Sequence, residues 1–224
     1  MAGDFDTLVF CTSHIADREA WTSRYLRWLE HHAALPFERA LLCMIDDASP
    51  YRPDPQVMQV ADAAAPLPAA PARPLMVRFP TRLGRSAVDD YPGWWRSFLF
   101  SVVVARHFGC RKIVHVESDA YLLSRRMLDF INARASGWTA FWCPRWNFPE
   151  TGIQVICADR FDQMRGMWDA GWARHAGKYA ERVLPFTDVV RDPHGNRYGE
   201  FRTRIPQFAD FAMQVSPRQQ VWFK

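Results

Sequence analysis

The stretch Ala40-Leu41-Leu42-Cys43-Met44-Ile45-Asp46-Asp47-Ala48-Ser49 runs six apolar residues straight into two adjacent carboxylates. An unbroken apolar run of this length, stopped by turn-forming residues and then Pro50, reads as a strand buried on both faces. Such strands belong to parallel sheets with helices on either side; a half-solvated strand would alternate apolar with polar residues. The same design recurs on both sides of it. Upstream, Thr7-Leu8-Val9-Phe10-Cys11 ends in Thr12-Ser13-His14, and downstream Lys112-Ile113-Val114-His115-Val116 ends in Glu117-Ser118-Asp119.

Helical patterns fill the spaces between these runs. Asp17 or Thr12-Ser13 can cap a helix to about residue 32, carrying Trp21, Tyr25, Trp28 and Leu29 at helical spacing and stopped by Pro36. Tyr91-Pro92-Gly93 opens a second helix that runs to His107 and closes at Gly109, with Pro92 suited to its first turn. Its interior is apolar on most sides, which predicts burial on both faces. Further helices are expected over about 124–134 and 159–175, and strands over 75–79, 139–143 and 152–157; beyond Pro185 the pattern weakens. Half of the 16 prolines fall between Pro50 and Pro80, so 50–74 reads as a Pro/Ala-rich insertion with little core of its own. The alternation predicts one α/β domain over 1–224, a mostly parallel central sheet flanked by helices. In such sheets ligands bind beyond the carboxyl ends of the strands. The polar residues just after each strand are therefore the ones to weigh.

Composition sets the outer bounds. The chain has 224 residues with 28 Lys+Arg against 24 Asp+Glu, ordinary for a folded protein and enough to bury a core. The basic residues are dispersed, so a net charge of +4 does not call for nucleic acid. No apolar run approaches the roughly 20 residues of a spanning helix. Met1-Ala2-Gly3-Asp4 lacks a basic-then-apolar pattern, so no secretory signal is expected. Five cysteines without a Cys-x-x-Cys read as buried free thiols in a reducing, cytoplasmic setting. The absence of Gly-x-Gly-x-x-Gly after the first strand, of a Gly-Lys-Ser/Thr phosphate loop, of His-Glu-x-x-His and of Gly-x-Ser-x-Gly lowers the standing of dinucleotide oxidoreductases, P-loop enzymes, zincins and α/β-hydrolases.

Two carboxylate features carry the chemistry. Glu117 and Asp119, two residues apart at a strand exit, can both reach a hard divalent cation such as Mg²⁺ or Mn²⁺, which bridges nucleotide phosphates. The plain alternative is a strand end and a cap. Asp46 and Asp47 can accept hydrogen bonds from a nucleobase imide or a ribose hydroxyl, or can form an Asx-turn that reverses the chain before Pro50.

Taken in order, these features resemble a family-2-type glycosyltransferase of the GT-A, Rossmann-like fold. Ile45-Asp46-Asp47-Ala48-Ser49 is similar to that family's Asp-Asp-Gly-Ser, Arg82-Leu83-Gly84-Arg85-Ser86 to its Gly/Arg stretch, and Glu117-Ser118-Asp119-Ala120 to its Asp-x-Asp. Gly152-Ile153-Gln154-Val155-Ile156-Cys157 resembles the strand that follows. Ala48 stands in place of the family's glycine and Glu117 in place of its first aspartate. The resemblance spans roughly 7–170 and implies a nucleotide-binding half at about 7–120 and an acceptor-side half at about 121–224. It implies a sugar moved from a nucleotide-sugar donor to a glycan or lipid-linked acceptor, with inversion, and a divalent metal, Mn²⁺ or Mg²⁺, held by Asp119 and Glu117 with His194 as a further ligand.

Under that resemblance Thr12, Ser13, His14, Asp46, Asp47, Arg82, Arg85, Glu117, Ser118 and Asp119 would hold the donor. Arg82 and Arg85 suit the diphosphate because guanidinium matches phosphate geometry. The base that takes the acceptor's proton has no clean motif, and Asp188, Asp192 and Glu150 are the candidates. Trp146, Glu150 and Thr151 lie where an acceptor would be held, Trp146 by stacking on a sugar. The tail Val221-Trp222-Phe223-Lys224 is basic and aromatic, suited to the inner face of a membrane, to a partner or simply to packing on the body. Two other classes stay open: a sugar nucleotidyltransferase, whose basic Gly-rich loop Thr12-Ser13-His14-Ile15 does not resemble, and a catalytically degenerate binding module.

Overall fold

In the computed structural model, residues 5–87, 90–200 and 204–224 are described; Met1–Asp4, on which the signal reading rests, lies outside them. The buried runs form the middle of an eight-stranded sheet. β1 (Thr7–Ser13) is flanked by β2 (Ala40–Asp46) and β5 (Lys112–Val116), both parallel to it, with Ser13 paired to Asp46 and Phe10 to His115. β4 (Leu75–Arg78) pairs with β2 and β3 (Gln59–Asp62) with β4, again in parallel. On the other side come β8 (Phe148–Cys157), β7 (Trp138–Cys143) and β9 (Asp188–Val190), giving the order β3-β4-β2-β1-β5-β8-β7-β9. Within this sheet β8 alone runs against its neighbours, antiparallel to both β5 and β7.

Alternate residues of β1 enter opposite apolar layers. Val9 and Cys11 face one, which holds Trp28, Leu29, Met127, Leu128 and Phe141. Leu8 and Phe10 face the other, with Trp95, Phe98, Leu99, Val102, Phe161 and Met164. The first layer is covered by a helical stretch of three runs, α1 (Arg18–Ala20), a π-helical turn at Trp21–Leu26 and α2 (Arg27–Ala33), together with α4 (Arg125–Ala133). The second is covered by α3 (Pro92–His107) and α5 (Phe161–Asp169). The α3 helix is buried along most of its length, as its all-round apolar pattern predicts. The Asp17 side chain caps α1 by accepting from the Ala20 N–H at 2.8 Å.

A small second sheet, β10-β11-β6, lies beyond the carboxyl end of β5. In it β6 (Tyr121–Leu122) pairs with β11 (Phe211–Ala212), and β11 with β10 (Gly195–Asn196). Tyr121, Leu123, Ile205, Ala212 and Val215 form its own apolar cluster, and Val221 and Trp222 pack against it. The basic-aromatic tail is thus docked on the body, and the Lys224 N–H donates to the Leu123 carbonyl at 2.9 Å.

Two expectations need correcting. The 50–74 segment has structure of its own, since it supplies edge strand β3 and the fully buried Met58. The helix expected over 159–175 stops at Asp169. Gly171 sits at φ +92, a left-handed conformation no helix continues through, and a short strap with a 3₁₀ turn at Trp172–His175 and α6 (Ala180–Val183) follows. All five cysteines are free and buried. Among the described residues no helix is long and apolar enough to cross a membrane.

Candidate functional site

Parallel register brings the exits of β1, β2 and β5 to one edge of the sheet, so Ser13, Asp46 and Glu117 share a face of the molecule. The two aspartates at the end of β2 are occupied inside the protein. Asp46 accepts from Ser13 Oγ at 3.0 Å, from the Ser49 N–H at 2.8 Å and from Ser49 Oγ, with Arg78 Nε 3.7 Å away. Burial raises its pKa, against the pull of those hydrogen bonds. Asp47 accepts from the backbone N–H groups of Leu83 (3.1 Å) and Gly84 (2.7 Å) and from the Arg96 guanidinium, which lies over the Phe79 ring. Asp47 is thereby a staple that holds the 82–85 loop against the start of α3. Gly93 is required there, because a Cβ would sit 2.3 Å from Asp47 Oδ2.

His14 Nδ1 lies 3.2 Å from the Asp47 carbonyl, and its backbone is bonded to the Tyr25 hydroxyl. Thr12 is half-buried within β1. Arg85 donates from Nε to the Ala87 carbonyl and stacks over Tyr91. Arg82 is exposed beside Gly84 and carries no hydrogen bond or ion pair among the described residues.

Beyond β5 opens a cleft of about 270 Å³ lined by Trp94, Glu117, Glu150, Thr151, Glu181 and Arg197, with Tyr91, Tyr179 and Lys178 at its walls. Three elements deliver its three carboxylates. Glu117 follows β5, and its Oε1 accepts from Trp94 Nε1 at 3.1 Å. Burial, reinforced by Asp119 and Glu150, pushes its pKa up to about 8. Glu150 comes from β8, accepts from the Thr151 N–H at 3.1 Å and pairs through Oε2 with Arg197 Nη1 at 3.1 Å. Burial raises its pKa as well, with the Arg197 cation opposing. Glu181 comes from α6 and accepts from Thr151 Oγ1 through Oε1 at 2.8 Å, which leaves Oε2 without a partner among the described residues. The strap that carries Glu181 is pinned by Gly177 N–H donating to Asp90 Oδ1 at 2.8 Å and by His175 stacked on Trp95.

The other residues singled out from the sequence lie apart from these carboxylates. Asp188 pairs with Thr139 near the start of β7 and is held by Arg134 at 2.5 Å. Thr139 in turn pairs with Val155, whereas Glu150 faces Phe141 at the other end of β7. Asp192 is exposed and ion-paired to Arg126. His194 donates its N–H to Asp210 and packs on Phe208. The small-sheet register puts Asp210 alongside Leu123, whereas the Asp119 carbonyl is bonded to Val215 at the far end. Trp146, 53% exposed, stands outside the cleft but joins it through Glu200, which accepts from Trp146 Nε1 at 3.0 Å and pairs with Arg197.

A divalent ion fits these residues poorly. Asp119 Oδ2 is paired with Arg24 Nη2 at 3.0 Å, so the carboxylate that would hold the ion already faces a cation, while its Oδ1 is buried without a partner among the described residues. Among the described residues no group of three or more His, Cys, Asp or Glu side chains is arranged to hold a metal. Arg24, Trp94, Glu181 and Arg197 escaped the sequence reading. Arg24 and Trp94 sit inside ordinary helical patterns, Glu181 in the short turns between α5 and β9, and Arg197 in the weakly patterned region after Pro185, none at the exit of a strand that the sequence predicts.

The fold has a solved counterpart. The chain is similar to a glycosyltransferase involved in the glycosylation of the major capsid of PBCV-1, with 11% identity, a TM-score of 0.50 and 92% of each chain covered. At that identity the likeness is one of fold. No family model and no curated protein sequence matches the chain.

Proposed function

We propose that the protein is a nucleotide-sugar-dependent glycosyltransferase that moves a sugar onto a glycan or lipid-linked acceptor. One observation carries this: a cleft at the carboxyl edge of the sheet joins three carboxylates, two cationic side chains and aromatic walls in a fold shared with a glycosyltransferase. Aromatic faces suit sugar rings, and carboxylates accept from sugar hydroxyls. Exposed Arg82 supplies donors for a diphosphate. In the reaction, the acceptor oxygen bonds to the anomeric carbon, the bond to the diphosphate oxygen breaks, and the acceptor's proton goes to a carboxylate. Glu181 is assigned that proton, because its Oε2 is unengaged while both oxygens of Glu150 are held by Arg197 and backbone N–H groups. A single displacement of this kind inverts the anomeric configuration. Asp188 and Asp192, each ion-paired away from the cleft, have no part in this proposal.

A panel of nucleotide sugars, read for hydrolysis and for transfer to simple glycosides, tests the reading. Turnover of one donor is the expected result. Inertness toward every donor and acceptor would favour the binding module, which the internally occupied Asp46 and Asp47 keep as the second reading. In an active enzyme Glu181→Gln lowers kcat by about 10²–10⁴-fold with little change in donor KM, the size of a lost general base.

A further inference from the structure

The turn after β5 already holds a cation. Arg24, in the π-helical turn Trp21–Leu26, donates from Nε to Ser118 Oγ at 2.7 Å and from Nη2 to Asp119 Oδ2 at 3.0 Å. A guanidinium has five N–H donors in a rigid fork, and these two bonds leave three of them for a ligand. The Arg24 side chain is 43% exposed, whereas Asp119 is only 16% exposed. The pair therefore presents its positive partner outward. Single π-helical turns within helices recur at functional sites, and this one carries the residue that reaches across to the β5 exit.

We propose that Arg24, as a fixed guanidinium, supplies the positive charge that meets the donor's diphosphate at the Glu117-Ser118-Asp119 turn, in place of a divalent cation. The proposal rests on the nucleotide-sugar reading above. Asp119 and Ser118 become positioning residues that aim the fork, so the acidic turn acts on the ligand through the arginine. The chemistry is balanced without a metal. Charge that builds on the departing diphosphate oxygen is offset by a guanidinium whose planar donors match two phosphate oxygens, with exposed Arg82 as a second donor.

Calorimetry with UDP and GDP, each in EDTA and in excess Mn²⁺, decides the matter. The expected result is that the nucleotide binds as well in EDTA as with Mn²⁺. Arg24→Ala should then weaken binding roughly tenfold or more, the scale of one charge-assisted hydrogen bond. The variant also releases Asp119 Oδ2, so Mn²⁺ should restore part of the lost affinity, which a merely structural arginine would not produce. Arg24→Lys, which keeps the charge but not the fork, should fall between the two. The wild-type comparison requires no variant to fold: binding seen only with Mn²⁺ overturns the role of Arg24 and leaves the donor reading standing. No binding of either nucleotide, with or without Mn²⁺, overturns the donor reading itself.

Discussion

Asp46 and Asp47 are neighbours in the chain with separate tasks: one closes the turn after β2, the other pins a distant loop to α3. Their position at a strand exit was legible from the sequence. Their partners were not, because Arg96 is 49 residues from Asp47 and nothing local marks it. The same holds for Asp119 and Arg24, 95 residues apart. Gly93→Ala tests the Asp47 staple. The added methyl would collide with Asp47 Oδ2, and overpacking of this kind costs about 1–3 kcal/mol, readable as a lower urea midpoint with unchanged slope. Titration at single residues gives two opposed pH effects. Glu117 keeps a proton in the folded chain up to about pH 8 that an unfolded chain releases near 4.5, so its contribution to stability is present at low pH and lost as pH rises through 8. Glu117→Gln preserves an acceptor for Trp94 and should flatten the fall in urea midpoint between pH 6 and pH 9. Burial lowers His32 and His115 to about 3; both stay neutral in the fold while the unfolded chain protonates near 6.5. Their contribution is present above 6.5 and lost as pH falls toward 3, so in Glu117→Gln, where the opposed carboxyl effect is removed, the urea midpoint at pH 5 should lie below that at pH 7.5. Equal midpoints in that variant would contradict this.

Among the elements, α3 shows what an apolar pattern can and cannot say. Burial on both faces followed from its sequence, and its neighbours β1, β5 and α5 did not. Phe98, fully buried, touches Phe10, Trp94, His115 and Trp138 at ring-packing distances. Phe98→Ala should cost about 3–5 kcal/mol, measured by chemical denaturation, and its loss of packing around His115 would loosen the β5 exit. The strap at 171–184 escaped notice for the opposite reason. Its short turns have little apolar periodicity, and the glycine that breaks α5 sits in a sequence of otherwise helix-compatible residues. The third carboxylate of the cleft rides on that strap, so the site is assembled from a β-strand exit, a strand interior and a peripheral helix of four residues.

For the whole molecule, the α/β class and the mostly parallel sheet were legible because fully apolar strands have no other home. The reversal of β8 was not, since a strand buried on both faces reads the same in either direction. That reversal is what brings Glu150 and Gly152 back to the β5 exit, with the Glu117 N–H donating to the Gly152 carbonyl at 2.8 Å. The free cysteines follow the same architecture. Cys11, Cys43, Cys143 and Cys157 lie on β1, β2, β7 and β8, and Cys110 just ahead of β5. Burial raises the pKa of every one of these thiols, so the reactive thiolate is scarce as well as hidden. The chain thus carries its own set of opening reporters, one beside each of five strands. Alkylation followed by peptide mass mapping would rank the order in which strands are exposed to reagent, without any label being introduced.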